Sequence, residues 1–221
     1  MQRVFVFDAY GTLFDVHAAI ARHRAEAGPE ADRFSEIWRA KQLEYTWTLT
    51  LAGRYADFWT LTERALDFAF ARLPQVPKSL KPTLLDAYLR LDAFADAHLV
   101  LRELKSGGHP TGILSNGAPQ MLASAVKSAE MGGLLDAVLS VDAIRMYKPR
   151  REVYALVTEH FKVAPAEIIF VSSNRWDIMG AAACGFQTAW INRAKAPQEY
   201  DPAAHSMLAD LKSLIAVEIA S

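Results

Sequence analysis

Residues 4–15, VFVFDAYGTLFD, decide the fold. The first four are apolar, and their mixture of β-branched and aromatic side chains predicts a short buried strand. The strand runs directly into an acid, Asp8, and a Gly-Thr turn follows. Two features need an explanation: a carboxylate ends the buried strand, and Tyr10, not a second acid, stands two places later.

Five runs rich in β-branched and aromatic residues predict strands, at 3–7, 111–114, 137–140, 168–171 and 187–191. Each run is continuously apolar, which is typical of strands that are buried on both faces of a parallel sheet. Helical patterns of crossover length separate the last four strands, at 118–133, 148–161 and 176–186. This alternation predicts an α/β fold whose core is a doubly wound, Rossmann-like parallel sheet.

The connection after the first strand contains helical patterns and no convincing strand. The helices are predicted at 16–28, with Asp15 as N-cap and Gly28 as stop, at 31–53, at 56–73 and at 81–91, with Ser79 as a possible cap. We therefore expect an inserted helical cap subdomain, 15–91, over a core formed by 1–14 and 92–221. The cap would cover the carboxyl edge of the sheet, where open α/β sheets bind ligands. Its many aromatic residues are interpreted as cap core or dimer interface.

Composition excludes several classes of function. The formal net charge is -1, from 24 basic and 25 acidic residues, so no nucleic-acid partner and no anionic membrane surface is expected. No run approaches the roughly 20 apolar residues that span a bilayer, and no signal peptide is recognised, so we expect a cytoplasmic protein. The single cysteine, Cys184, excludes an internal disulfide and is interpreted as a packing residue. No histidine lies in a strand-end motif.

Polar residues follow each core strand where it ends. Asp8 follows the first strand, Ser115 and Asn116 the second, Lys148 the third, and the run SSNRWD, 172–177, the fourth. Each of these has an ordinary structural explanation when it is taken alone, such as a helix cap or a solvated surface lysine. The carboxyl ends of parallel strands meet at one edge, however, so together they predict a carboxylate, an ammonium, hydroxyls and amides in one site.

The order DAYGT, SNG, YKP and SSNRWD resembles the haloacid dehalogenase superfamily, and more narrowly its (S)-2-haloacid dehalogenase branch. The resemblance continues through the insert, in WRAKQLEYTW and GRYADFW, and covers nearly the whole chain. Arg175 departs from the pattern, because a small or apolar residue is expected there. It would either point to solvent or change the charge of the pocket.

The resemblance implies hydrolytic dehalogenation of (S)-2-haloalkanoic acids. Asp8 would attack C2 and expel halide with inversion, and water would then hydrolyse the aspartyl ester to give an (R)-2-hydroxy acid. Lys148 would balance Asp8, and Asp177 would orient or deprotonate the water. Thr12, Ser172 and Asn174 would hydrogen-bond Asp8 or its ester.

The substrate would be held by residues that the same resemblance assigns. Ser115 would hold the substrate carboxylate, and Arg39, Asn116 and Trp176 would form a halide cradle. Tyr10, Leu43 and Phe58 would line an apolar wall, and Tyr154 would lie near the site or simply pack. The resemblance also implies a homodimer through the insert.

Tyr10 and the neutral SSN run also distinguish this chain from the phosphatase members of the superfamily, which carry acids at those positions. Mg²⁺ prefers carboxylate and phosphate oxygens, so we expect no metal ion and no cofactor. A phenol with a reference pKa of about 10 is a poor proton donor to an alkoxide, whereas a halide leaves without a proton. The alternatives are a Mg²⁺-dependent phosphatase or phosphonatase-like hydrolase, and a binding or scaffold protein that has kept the fold.

Overall fold

A parallel sheet with its first strand near the middle organises the structure. The computed structural model describes residues 3–201 and 204–219, and in these ranges the sheet has six strands in the order β3-β2-β1-β4-β5-β6. The strands are β1 (Val4–Phe7), β2 (Thr111–Ser115), β3 (Ala137–Ser140), β4 (Ile168–Ser172), β5 (Gln187–Ile191) and β6 (Ser206–Leu208). All neighbouring strands pair in parallel, and every residue of β1, β2 and β4 is buried. The predicted α/β fold with a doubly wound parallel sheet is confirmed.

Ten α-helices accompany the sheet within the described residues. They are α1 (Ala18–Ala21), α2 (Arg24–Ala27), α3 (Ala31–Leu51), α4 (Phe58–Arg72), α5 (Lys81–Leu89), α6 (Ala97–Ser106), α7 (Pro119–Ser128), α8 (Arg151–Phe161), α9 (Arg175–Ala183) and α10 (Lys212–Ile219). Helices α1 to α5 follow β1 in the chain, and α6 leads into β2. The crossovers α7, α8 and α9 agree with the predicted helical patterns. Strand β6 and helices α6 and α10 were not predicted, and β6 has only three residues.

The inserted helices begin and end at neighbouring points of the core. The N–H of Asp15 donates to the carbonyl of Asp92 at 2.9 Å, and the N–H of Phe94 donates to the carbonyl of Leu13 at 2.9 Å. The chain therefore leaves the sheet and returns to it side by side, after a helical excursion. Such an arrangement lets a helical insert pack over the sheet without interrupting it.

Helices α3 and α4 form a pair with its own apolar and polar contacts. The indole N–H of Trp38 donates to the Thr62 carbonyl at 2.9 Å, and the Gln42 amide donates to the Thr62 hydroxyl at 2.9 Å. The rings of Phe34 and Phe70 meet edge to face at 4.9 Å. Most aromatic side chains of the insert are buried or half-buried, either within it or against the core; Phe68 is an exposed exception.

Two local helix predictions were wrong. The predicted helix 16–28 is broken into α1 and α2, because the N–H of His23 bonds to Ile20, three residues back, and tightens the chain there. Arg22, just before the break, is tied to Asp92 and to the Arg90 carbonyl. Ser79 does not cap α5; it lies in a 3-10 turn, Lys78–Leu80, that precedes the helix. In both places tertiary contacts and turn geometry override local sequence preference.

None of the helices in residues 3–201 and 204–219 is long and apolar enough to cross a membrane.

Gly180 on α9 provides a test of the packing beneath the sheet edge. A Cβ at this position would overlap the Tyr154 hydroxyl and would lie 2.7 Å from Cβ of Pro149. Because these neighbours are packed, Gly180→Ala is expected to lower the free energy of unfolding in urea by about 1–3 kcal/mol. The matched control is Gly133→Ala, where no atom lies within 4 Å of the added Cβ and a change within about 0.5 kcal/mol is expected. Equal effects of the two substitutions would contradict this packing.

Candidate active site

The polar residues that follow the core strands meet at the carboxyl edge of the sheet. Asp8 follows β1 directly and is 5% exposed, so its carboxylate is nearly removed from water. Gly11 makes the turn after it possible, since its φ of +93° lies in the region that favours glycine. The amides of Thr12 and Leu13 bond back to the Ala9 carbonyl and close this turn. The strand end and the turn together fix the direction of the Asp8 side chain.

Three donors hold the Asp8 carboxylate. The Lys148 ammonium lies 3.1 Å from Oδ1, while the Asn174 amide and the Thr12 hydroxyl donate to Oδ2 at 2.8 and 3.2 Å. Asn174 occupies the N-cap position of α9, but its side chain does not cap the helix. Thr12 in turn accepts the Ser173 N–H at 2.9 Å. Three segments of the chain, around residues 8–12, 148 and 173–174, therefore converge on one carboxylate.

Lys148 is shared between two carboxylates. Its ammonium, which is fully buried, also lies 2.8 Å from Oδ2 of Asp177. Burial acts to lower the pKa of Lys148, but Asp177 and Asp8 outweigh it and raise the pKa above its usual value. Burial raises the pKa of Asp177 to about 6, although Lys148 acts in the opposite direction. Both the raised pKa of Lys148 and the raised pKa of Asp177 follow because one buried cation is shared by two buried acids, so the cluster has a net negative charge.

Tyr154 fixes the orientation of Asp177. Its hydroxyl donates to Oδ1 of Asp177 at 2.7 Å, and the ring is fully buried on α8. Burial, and after it the Asp177 carboxylate, raise the pKa of this phenol well above its usual value. Tyr154 is therefore a neutral donor that points the carboxylate, and it contacts the site through Asp177.

The loops after β2 and β4 are held by their own serines. The Ser115 hydroxyl accepts the Gly117 N–H at 3.0 Å, and the Ser172 hydroxyl accepts the Asn174 N–H at 3.1 Å. Oδ1 of Asn116 accepts the Lys148 N–H at 3.1 Å. Nδ2 of Asn116 is buried and has no acceptor within the described part of the chain. A buried donor without a partner is costly, and an anionic ligand would satisfy it.

Arg39 and Leu43 reach the site from α3. The Arg39 guanidinium donates to the Tyr10 carbonyl at 3.3 Å. Arg39, Leu43, Tyr10 and Asn174 line a cavity of about 470 Å³. The insert thus brings a cation to within reach of the residues that hold Asp8.

Trp176 lies in a different cavity, of about 340 Å³, together with Lys148, Trp47 and Met179. Its ring meets that of Trp47 edge to face at 5.5 Å. Arg39 and Trp176 therefore flank the carboxylates from two cavities. The arrangement of Arg39, Asn116 and Trp176 in a single cradle stays a prediction.

Tyr10 and Phe58 belong to a cluster of aromatic rings between the sheet and the insert. Tyr10 stacks on Tyr88 at 5.8 Å and lies 5.9 Å from Phe58, and all three side chains are buried. Burial raises the pKa of Tyr10 well above its usual value, and Tyr88 adds to this. Tyr10 is thus a neutral ring in an apolar wall, with its backbone carbonyl turned to Arg39 and Asn174.

Comparison with known proteins agrees with this geometry. The family model described as haloacid dehalogenase-like hydrolase matches residues 2–185. The chain is 48% identical to (S)-2-haloacid dehalogenase 1 of Pseudomonas sp. (strain CBS-3), and the match covers 96% of each chain. This chain belongs to the haloacid dehalogenase-like hydrolase family. The resemblance seen in the sequence is confirmed.

Solved structures of the family are similar over nearly the whole chain. The crystal structure of an L-2-haloacid dehalogenase superposes with a TM-score of 0.94 at 46% identity, covering 98% of both chains. L-2-haloacid dehalogenase from Xanthobacter autotrophicus, with chloropropionic acid covalently bound, superposes with a TM-score of 0.90 at 37% identity, covering 99% of both chains.

The side chains around Asp8 are a poor donor set for a divalent cation. The position two residues after Asp8 is Tyr10, and Ser172, Ser173 and Asn174 stand at the end of β4 and just after it, so neither segment places a further acid against the carboxylate. Lys148 occupies the space between Asp8 and Asp177 and would repel a metal ion. Within the described residues, no group of three or more His, Cys, Asp or Glu side chains is placed to bind one.

Arg175, the residue at which this chain departs from the family pattern, is 4% exposed and does not point to solvent. Its guanidinium donates to the Tyr200 carbonyl at 2.8 Å and lies 5.9 Å from the centre of the Trp190 ring. It lines neither of the cavities beside Asp8. The long side chain therefore ties the segment before β6 to the sheet.

Several residues that shape the site were not predicted. Ser173 holds Thr12 through its N–H, Trp47 packs on Trp176, and Tyr88 stacks on Tyr10. None of them lies in a strand-end motif apart from Ser173, whose contribution is a backbone group. Only the spatial arrangement of the insert reveals the other two.

Lys148→Met tests the shared ammonium. Without it, two buried carboxylates face each other, so the free energy of unfolding at pH 8 is expected to fall by about 3–5 kcal/mol in urea titrations. The loss should be smaller at pH 5. Without the ammonium, the two buried acids have a higher pKa in the folded protein than in the unfolded protein. They therefore destabilise the folded state most at high pH, where they are ionised, and less at low pH, where they are protonated.

The matched control for this experiment is Lys105→Met, which removes an exposed ion pair with Asp136 at 3.4 Å. That loss is expected to stay below about 1 kcal/mol at both pH values. A loss at Lys148 that does not change between pH 5 and pH 8 would show that the ammonium does not compensate the two acids.

Proposed function

We propose that this chain is an (S)-2-haloacid dehalogenase, which converts (S)-2-haloalkanoic acids to (R)-2-hydroxy acids and halide through an ester on Asp8, without a metal ion. The observation that carries the proposal is the Asp8 carboxylate held by Lys148, Asn174 and Thr12, with Tyr10 and Asn174, not acids, at the positions two residues after it and just after β4. The relatives named above support it, as does the family structure with chloropropionic acid covalently bound.

The first step forms a bond between Asp8 and carbon. Three donors fill three of the roughly four acceptor positions of a carboxylate, which leaves a lone pair on Oδ1. Oδ1 attacks C2, and the pair of electrons in the carbon–halogen bond departs with the halide. In-line attack inverts C2. A nucleophile held in position in this way needs no further activation by a base.

The departing halide needs a positive or N–H environment and no proton. Arg39 brings a cation from α3, and Nδ2 of Asn116 is a buried donor without a protein partner in the described ranges. The proposal assigns the third group of the cradle to Trp176, which lines the second cavity together with Lys148. Tyr10, Leu43 and Phe58 supply apolar surface for the alkyl group. Preorganised donors of this kind stabilise charge as it develops.

The second step hydrolyses the ester. Water attacks the ester carbonyl carbon of Asp8, Cγ. A bond forms between Cγ and the water oxygen, the bond between Cγ and the ester oxygen breaks, and that oxygen leaves with the product and takes up a proton as its hydroxyl group. Asp177, whose pKa of about 6 leaves it largely ionised at neutral pH, accepts the proton of the water. Lys148 stabilises the charge that develops on the ester, and Thr12, Ser172 and Asn174 hold the segment around it.

The remaining parts of the substrate are held by the loop after β2 and by the insert. The Ser115 hydroxyl accepts the Gly117 N–H, so its hydrogen is available to donate to the substrate carboxylate. We infer that residues 15–91 act as the cap and that 1–14 and 92–221 form the core. The paired backbone at 13–15 and 92–94 supports these boundaries.

Halide release in the presence of a chelator tests the activity. With (S)-2-chloropropionate and excess EDTA, we expect stoichiometric chloride release and formation of (R)-lactate, while the (R)-substrate is not turned over. Asp8→Asn should lose activity at least a thousandfold, since the nucleophile is removed. Phosphate release from p-nitrophenyl phosphate that requires Mg²⁺, without chloride release, would instead establish a phosphatase. If neither chloride nor phosphate is released, a binding protein would be favoured.

Isotope labelling tests whether the reaction passes through an ester on Asp8. In a single turnover in ¹⁸O-water, the label should enter the Asp8 carboxylate and be detected by mass spectrometry of the peptide that contains it. Label that appears directly in lactate would exclude the ester on Asp8 while leaving the dehalogenase activity itself in place.

We further infer that two copies associate through the cap. Phe68 on α4 is 37% exposed with the Lys41 ammonium 4.4 Å from its ring, and Leu51 at the end of α3 is 87% exposed. Light scattering is expected to give twice the chain mass of 24.5 kDa. Phe68→Glu should shift the mass towards that of the single chain, and a monomeric wild-type protein would exclude the dimer.

A further inference from the structure

A continuous chain of hydrogen bonds connects the insert to the loop that follows β2. The Tyr55 hydroxyl donates to Oδ1 of Asp142 at 2.5 Å, and the Asp142 N–H donates to Oγ of Ser140 at 3.1 Å. The Ser140 hydroxyl donates to the Gly117 carbonyl at 2.7 Å, and the Gly117 N–H donates to Oγ of Ser115 at 3.0 Å. These five residues are called the Tyr55–Ser115 chain below.

Ser140 stands at the centre of this chain because of the register of the sheet. Ser115 and Ser140 lie opposite each other at the ends of β2 and β3. The Ser140 hydroxyl accepts one bond and donates another, so its orientation is fixed. On the other side of the loop, a Cβ on Gly117 would lie only 2.7 Å from the Tyr10 ring. The loop is therefore held between Ser140 and Tyr10 with no spare room.

The end of the Tyr55–Ser115 chain that lies in the insert is also held by several contacts. The Tyr55 ring stacks on Tyr147 at 5.2 Å, and the Arg145 guanidinium lies 5.3 Å from the Tyr55 ring centre. The Tyr147 hydroxyl donates to the Ala56 carbonyl at 2.6 Å. Burial, and after it the bond to Asp142, raise the pKa of Tyr55, so its hydroxyl keeps its proton and acts as a donor.

The same segment also carries catalytic groups. Lys148 directly follows Tyr147, and its N–H donates to Oδ1 of Asn116 at 3.1 Å. The segment from Ser140 to Lys148 therefore contacts the insert, the loop after β2 and the Asp8 carboxylate.

We propose that Ser140 and Tyr55 are positioning residues, which set the Ser115 loop for the substrate carboxylate and tie it to the position of the cap. This rests on the proposed function, in which Ser115 holds that carboxylate. The carboxylate does not change charge as the carbon–halogen bond breaks, so this contact is equally strong in the ground and transition states. Loss of the positioning bonds should therefore raise KM and leave kcat nearly unchanged.

Binding of propionate measures this effect without any turnover. Propionate has the carboxylate and no leaving group, and its Kd can be determined by calorimetry. Ser140→Ala is expected to weaken propionate binding about fivefold to tenfold, the range for loss of a hydrogen bond. KM for (S)-2-chloropropionate should rise by the same factor, with kcat changed less than about twofold. Ser140→Thr keeps the hydroxyl and should restore both.

The matched control is Thr111→Val at the other end of β2. The Thr111 hydroxyl donates to the Leu134 carbonyl at 2.6 Å, so it is a bond of the same kind, remote from the site. If Ser140 served only stability, both variants would lower the melting temperature and neither would change the propionate Kd. A propionate Kd for Ser140→Ala within twofold of wild type would overturn the proposal.

Tyr55→Phe tests the connection to the cap, because it removes the hydroxyl and keeps the ring stack. We expect a smaller rise in propionate Kd, and no further rise when it is combined with Ser140→Ala, since both act through one chain. Multiplied effects in the double variant would overturn the connection. If the wild-type protein binds propionate, Ser140→Ala weakens this binding and no halide is released, the dehalogenase activity is excluded and the positioning role remains. If the wild-type protein binds no propionate, the positioning role is excluded.

Discussion

The structure depends on one buried ammonium between two buried carboxylates. Lys148 lies 3.1 Å from Asp8 and 2.8 Å from Asp177, and all three groups are almost wholly removed from water. One cation cannot neutralise two acids, so the cluster keeps a negative charge. The surrounding neutral donors, Asn174, Thr12 and Tyr154, orient this charge. A burial this costly persists because several elements of the fold hold it in place.

The parallel sheet supplies most of that support. The ends of β1, β2 and β4 lie side by side, so Asp8, Ser115 and Ser172 reach one edge without any special local geometry. Lys148 is different, since it lies eight residues beyond the end of β3 and depends on the segment that packs against the insert. The fold thus divides the site into a part fixed by strand ends and a part fixed by the contact between core and insert.

That division explains which residues the sequence could identify. Asp8, Ser115, Asn116 and 172–177 follow apolar runs, and the end of a buried strand is visible in a single sequence. Lys148 was placed at the same edge because it lies in the loop after the third run, whereas Arg39 and Tyr154 were assigned only through resemblance to a family. Trp47 and Tyr88 were missed, because on a helix an aromatic residue that contacts the site has the same local pattern as one that packs in the core. The break at 22–23 was missed for a related reason, since a distant partner, Asp92, holds Arg22.

The sequence by itself determined the α/β class, the five longer strands, the helical insert and the chemical character of the edge: an acid, an ammonium and neutral polar groups. These features depend on the order of apolar and polar residues along the chain, which is local information. Only the tertiary structure decided that Lys148 bridges two acids, that Arg39 and Trp176 lie in separate cavities, that Arg175 is buried, and that Ser140 links Tyr55 to the Ser115 loop. Each of these is a contact between segments far apart in sequence, whose distance and direction are set by packing.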